Sequence, residues 1–170
     1  IMAKSNRLGM MTFDQSLFEL IPFGVVYHDS QGKIVDANPA AERILGLSLD
    51  QLLGRTSMDP HWAAVHEDGR PFTGEQHPAE LVLRSGKPVH GVIMGIYASE
   101  SRENCTWIQI DAVPLFHQNE SRPYKVLVSF EDITKRTRAE RELKKKNFEL
   151  GERVKELNCY YSISSVVSTP

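Results

Sequence analysis

The stretch GVVYHDSQGKIVDANPAAERILG, residues 24–46, packs three structural signals into one short segment. Gly24–His28 is rich in β-favouring residues, Asp29–Gly32 reads as a turn, and Ile34–Ala37 returns as a second strand, so the segment opens as a hairpin. A short helix follows with both ends marked. The Asn38 side chain can accept from a free N–H of the first turn, Pro39 suits the first helical position because no N–H is needed there, and Gly46 suits the left-handed position past the end. The next segment, SLDQLLG, repeats the pattern with a Ser48/Gln51 capping box and Gly54 as its stop.

Upstream, TFDQSLFELIPFGV predicts an amphipathic helix with Phe13, Leu17 and Leu20 at helical spacing and Pro22 ending it. Residues 55–76 are less regular and contain Trp62 and a HEDGRP turn. HPAELVLRSGKP then predicts a capped helix, with Pro78 early and Gly86 late. Three strand-like runs follow, Val89–Tyr97, Thr106–Phe116 and Tyr124–Phe130. The order predicts an α+β fold: a five-stranded antiparallel sheet with helices over one face, an N-terminal cap helix and a C-terminal coiled-coil helix. Residues 12–134 are expected to form the main domain and 135–170 a helix leading to a further domain. The chain opens on Ile1, which suggests a fragment, so residues 1–11 are given no part in the fold.

After Thr134 the period changes to seven. Arg136, Leu143, Leu150 and Leu157 form one row, and Glu140, Asn147, Val154 and Tyr161 the other. This predicts a two-stranded coiled coil tightening from Leu143, with Asn147 fixing register and strand number and Gly151 weakening the helix; a single helix packed on its own domain is the competing expectation. Leu143, Asn147, Leu150, Val154 and Leu157, with Phe13, Leu17 and Leu20, are therefore the expected homodimer contacts.

Several function classes fall away. The net charge is −2, which gives no electrostatic case for nucleic acid or an anionic membrane. No apolar run approaches the roughly 18 residues of a spanning helix. Cys105 and Cys159 are far apart and form neither a CxxC nor a metal-ligand spacing, which predicts a reduced, cytoplasmic protein. Six histidines are present, yet there is no nucleophile elbow, HExxH or Walker loop, so no enzyme is expected.

The segments GVVYHDSQGKIVDANPAAERILG, HEDGRPFTGEQHPAELVLRSGKPV, WIQIDAVPL and FEDIT together resemble a PAS domain, the sensor module common in histidine kinases and cyclic-dinucleotide enzymes. The resemblance spans roughly Phe13–Thr137. It implies a ligand space between helices and sheet, and it places the family's closing Asp-Ile-Thr motif on Asp132, Ile133 and Thr134, where the last strand hands over to an output helix. ELNCYYSISS looks like linker sequence preceding a further domain in microbial sensor kinases. The expected function is a sensory and dimerisation module, the input domain of a histidine kinase or related regulator. The alternative is a ligand-free dimerisation spacer or docking domain.

Strand alternation sorts the two faces of the sheet, and the resemblance implies that one of them borders the ligand space. Ile108, Ile110 and Ala112 face one way, with Trp107, Gln109 and Asp111 opposite. By the family pattern the first set looks inward, with Ile93, Val126, Val128 and Phe130 beside it and Ile44, Met58, Trp62, Leu81 and Leu83 closing the space from the helices. Plain core packing is the competing expectation for each. A ligand there should be small and mostly apolar, with Tyr27, His28, Arg84 and His90 as the nearest polar options.

No cofactor is identified. Some relatives hold haem through a His on the long helix, but His77 precedes Pro78 and is expected to cap the helix or face solvent. Flavin-binding relatives carry a reactive Cys on a helix, whereas Cys105 falls in a strand hairpin. On the sheet's other face Trp107, Val113 and Met94 are expected to need a cover, with the Phe13–Leu20 helix available. At the strand–helix joint, Asp132 or Thr134 is expected to cap the helix, Asp132 to pair with Arg136, and Thr137 with Glu140 to offer a second start.

Overall fold

The computed structural model describes residues 13–57, 59, 63–97 and 105–167. These residues form two compact units, one ending at Ile133 and one beginning at Thr134.

The first unit begins with helix α1 (Phe13–Leu20) and the hairpin β1 (Gly24–Asp29) and β2 (Ile34–Ala37). Helices α2 (Pro39–Leu45) and α3 (Leu49–Leu52) follow, then a short strand β3 (Ala63–Val65). A single 3-10 turn at Gly74–Gln76 leads into α4 (Pro78–Ser85). Strands β4 (Val89–Tyr97), β5 (Cys105–Leu115) and β6 (Lys125–Asp132) complete the unit.

Among the described residues the sheet has six strands rather than five, in the order β2-β1-β6-β5-β4-β3, with every neighbouring pair antiparallel. The additional strand, β3, lies in the segment without sequence periodicity. Three residues are too few to show an alternation, and β3 is fixed by pairing Ala63–Val65 with Tyr97–Gly95.

Local chemistry explains the helix ends. Asn38 Oδ1 accepts from Ala41 N at 2.8 Å and from Val25 N at 2.9 Å, while its Nδ2 donates to Phe18 O at 3.1 Å and Phe23 O at 2.9 Å. One fully buried side chain thus ties α1, β1 and α2 together. Gly46 ends α2 in the left-handed region at φ 68°, and both arms of the Ser48/Gln51 capping box form.

The inner sheet face and the helices enclose one core, including Val26, Leu45, Leu52, Val82, Ile110 and Val126. Burial of such side chains contributes about 1.5–3 kcal/mol each. Helix α4 turns Pro78, Ala79 and Val82 inward.

The outer face is also apolar in part. Trp107 is buried there, and the space above Gly95 is occupied by Trp107, Val65 and the Cys105 thiol. Near β1 the cover comes from α1, but through Phe18, whose ring lies 5.9 Å from that of Tyr27. Leu17 and Leu20 are exposed, at 54% and 82%. The side chain of Phe13 lies outside the described set.

The second unit is helix α5 (Thr134–Val167). Leu143, Asn147, Leu150, Val154 and Leu157 are all exposed on it, leaving the heptad seam open along the single chain. Among the described residues no helix is long and apolar enough to cross a membrane.

Candidate functional site

The cavity between the inner sheet face and α4 measures about 80 Å³. Its sheet wall includes Val26, Ile108, Ile110, Val128 and Phe130, and its helix side includes Leu45, Pro78 and Ala79. Among the described residues the polar lining is His28, Thr56, Ser57 and His77. A volume this small holds about three to five non-hydrogen atoms, since a benzene-binding cavity measures about 150 Å³. This volume is smaller than a haem or a flavin ring.

Of the residues the sequence assigns to this space, Ile108, Ile110, Val128 and Phe130 line it. Ile93 does not. It pairs with Gln109 on the outer face, while Met94, expected outside, pairs with Ile108, is buried and lines the cavity. The reason is a β-bulge: Val89 pairs with Ala112 and Val92 with Ile110, so three residue steps on β4 oppose two on β5. Gly91 takes φ 67°, and its N–H donates to Asp111 Oδ1 at 2.9 Å. One extra residue inverts the alternation beyond it.

The helix side needs a similar correction. Leu81 and Leu83 are half-buried flanks of α4 because Val82 occupies the centre of the inward face, and each helical step turns about 100°. Ile44 packs against the core, and its neighbour Leu45 reaches the cavity instead. Met58 and Trp62 lie outside the described residues.

Two histidines supply the chemistry. His28 points inward from β1, and its Nδ1 lies 3.0 Å from the carbonyl oxygen of Gly32. A carbonyl can only accept, so Nδ1 carries the proton. Burial pushes the His28 pKa down, against the opposing effects of that hydrogen bond and Asp29.

His77 is not the expected cap or surface residue. It holds the cap position of α4 but makes no side-chain cap bond. Its ring meets Phe72 edge-on at 5.4 Å and lines the cavity. Burial, reinforced by the proximity of His28, lowers its pKa to about 4. The His-Pro pair carries no local signal for this, since a cap side chain serves the N–H groups two and three residues on, and Asn38, which also precedes a proline, does cap its helix. Of the other polar options, Tyr27 is on the outer face, paired with Leu127. Arg84 donates to Glu75 O, and His90 sits 3.2 Å from Asp111 in an exposed contact.

The two histidines predict acid sensitivity. The His77 pKa is about 4 in the fold against 6.5 as the reference, and that of His28 is also lowered, so the unfolded chain takes up protons first on acidification. Their contribution is complete above about pH 6.5 and is lost as the pH falls towards 4. Urea titrations between about pH 7 and pH 4.5 should show a loss of about 1–2 kcal/mol from His77, discounted for its partial exposure, and His77→Phe should flatten the slope. An unchanged slope in that variant would exclude His77 as the source.

At the joint, β6 ends at Asp132 and α5 begins at Thr134. Ile133 between them is buried, and its N–H donates to Trp107 O at 2.8 Å. Arg136 lies 3.7 Å from Glu140 in an exposed pair. Asp68 accepts from Arg70 N and pairs with its guanidinium, consistent with the acidic HEDGRP segment being a solvated turn. Among the described residues no group of three or more His, Cys, Asp or Glu gathers as a metal site.

Comparison with known proteins agrees with this architecture. The PAS domain of a protein from Colwellia psychrerythraea is 21% identical, with a TM-score of 0.53 over 72% of this chain and 95% of its own. The PAS domain of nitrogen regulation protein NR(II) from Vibrio parahaemolyticus is 15% identical, with a TM-score of 0.50 over 72% and 100%. A domain of a sensory box sensor histidine kinase/response regulator from Geobacter sulfurreducens is 18% identical, with a TM-score of 0.50 over 70% and 90%. No curated protein matches the sequence. The PAS fold family profile matches residues 18–138, most of the chain, and the chain therefore belongs to the PAS fold family.

Proposed function

We propose that the chain is the sensing and dimerisation module of a signal-transduction protein, the input part of a cytoplasmic histidine kinase or related regulator. A small ligand occupies the cavity. The change it causes travels along β6, through Asp132, Ile133 and Thr134, into α5. The open Leu143/Leu150/Leu157 seam of α5, with Phe13, Leu17 and Leu20 at the other end, pairs with a second copy and passes the change to an output domain further along the same polypeptide. The module acts by binding, not catalysis, and neither nucleic acid nor membrane enters the reading.

Phe130 is the observation that carries this reading. Its ring forms part of the cavity wall, and its backbone lies two residues from the end of β6. A ligand can bias the helix only through a difference in affinity between two arrangements of this wall.

The test uses native mass spectrometry to find a stoichiometric bound molecule, then spin labels at the exposed Cys159 of α5 in a Cys105→Ala background. Loaded and stripped protein should give different label separations between two copies. Asp132→Ala/Thr134→Ala should abolish that difference while costing the sheet no more than about 2 kcal/mol, the range of a lost helix cap. An empty, tightly dimeric protein would favour the spacer reading. A full response in the double variant would reduce the joint to a passive linker.

A further inference from the structure

The inner surface of the cavity carries a specific hydrogen-bonding arrangement. His28 Nδ1 donates to Gly32 O, which belongs to a turn closed by Gly32 N donating to Asp29 O at 3.0 Å with Gly32 at φ 78°. The tautomer is therefore set by rigid backbone, and Nε2 retains its lone pair. No fully buried side-chain nitrogen or oxygen among the described residues lacks a partner, so an Nε2 without a protein partner borders open space and not packed atoms. Ser57 and His77 share the lining, and among the described residues no Lys, Arg, Asp or Glu belongs to it. A charged ligand would lose its hydration and gain no counter-charge. A pure hydrocarbon would leave the Nε2 acceptor dry and unsatisfied.

We propose that the cavity binds a neutral, mostly hydrocarbon molecule of about three to five non-hydrogen atoms bearing one hydroxyl, a short-chain alcohol, whose O–H donates to His28 Nε2. The hydroxyl oxygen keeps its own lone pairs for a donor from Ser57 or His77. The hydrocarbon part rests on Ile108, Ile110 and Val128. This rests on the ligand-sensing reading above and narrows it to a chemical class.

Three probes of similar size separate the class from the pocket: isobutanol, its hydrocarbon isostere isopentane, and the anion isobutyrate. Each is titrated into the full chain with its histidines labelled with 15N. Isobutanol should bind about tenfold more tightly than isopentane, the effect of one net hydrogen bond, and should move the His28 Nε2 resonance. Isobutyrate should bind most weakly. His28→Phe should erase the preference for the alcohol while retaining isopentane. Should that variant fail to fold, the wild-type comparison still decides. Equal binding of isobutanol and isopentane, or preference for isobutyrate, overturns the alcohol assignment and leaves the pocket standing. Binding of no probe overturns the assignment and the ligand-sensing reading together.

Discussion

Asn38→Ala should lower the stability of the sheet-bearing unit by about 4 kcal/mol, a melting-temperature fall on the order of 15 °C. Few surface or half-buried sites reach such a value, and the structure shows why this one does. Asn38 is fully buried and all four of its hydrogen bonds go to backbone: Val25 N, Ala41 N, Phe18 O and Phe23 O. Alanine strands these groups without water to replace the amide. Only one of the four is a helix cap, so Asn38→Ser, which can restore the bond to Ala41 N alone, should recover about 1 kcal/mol. Urea unfolding followed by circular dichroism measures both variants. A loss below about 1 kcal/mol for the alanine variant would mean that the strand and helix ends find other partners.

Gly24→Ala should cost about 2–3 kcal/mol and remove probe binding in the same step. Gly24 pairs with Phe130 across β1 and β6, and the Phe130 ring lies over it. A Cβ at position 24 would collide with the ring, whose Cδ2 is only 2.8 Å away. The ring must swing, and the open space it borders is the cavity of about 80 Å³. The variant should therefore remain folded and fail to take up isobutanol. Adding Phe130→Leu, which shortens the side chain, should restore part of both losses. Wild-type uptake in Gly24→Ala would show that the ring moves away from the cavity.

What could be read from the residues divides along physical lines. The segment from Asn38 to Gly46 was legible because its rules are local: a short polar acceptor, a proline without N–H and a glycine in the left-handed region each act within one turn. The inward set on β5 and β6 was legible because those strands keep an unbroken alternation over Ile108–Ala112 and Val126–Phe130. β4 was misread from Ile93 onward because a bulge is a property of two strands and leaves only a glycine, Gly91, in one sequence. Strand β3 escaped for a related reason, its three residues being defined by their partner. On α4, Leu81 and Leu83 drew attention by size, although the narrow inward stripe belongs to Ala79 and Val82. His77 was assigned by its neighbour Pro78, and its place beside His28 follows from tertiary packing that spans about fifty positions of chain.

The position of β6 has a consequence for how the chain is made. It lies in the middle of the sheet, bonded to β1 on one side and β5 on the other. During synthesis β1 emerges early, pairs with β2, and waits for its other neighbour, the last strand of the unit to be translated. Until then the sheet exists as two unjoined halves, and closure carries the high contact order that slows folding. A polypeptide interrupted before residue 125 would leave two exposed strand edges, a form prone to capture by quality control or to self-association. Because the helix that follows starts where that last strand stops, a ribosome reaches α5 only after the central strand has been made, and whatever follows α5 is born behind a PAS domain that is already able to close.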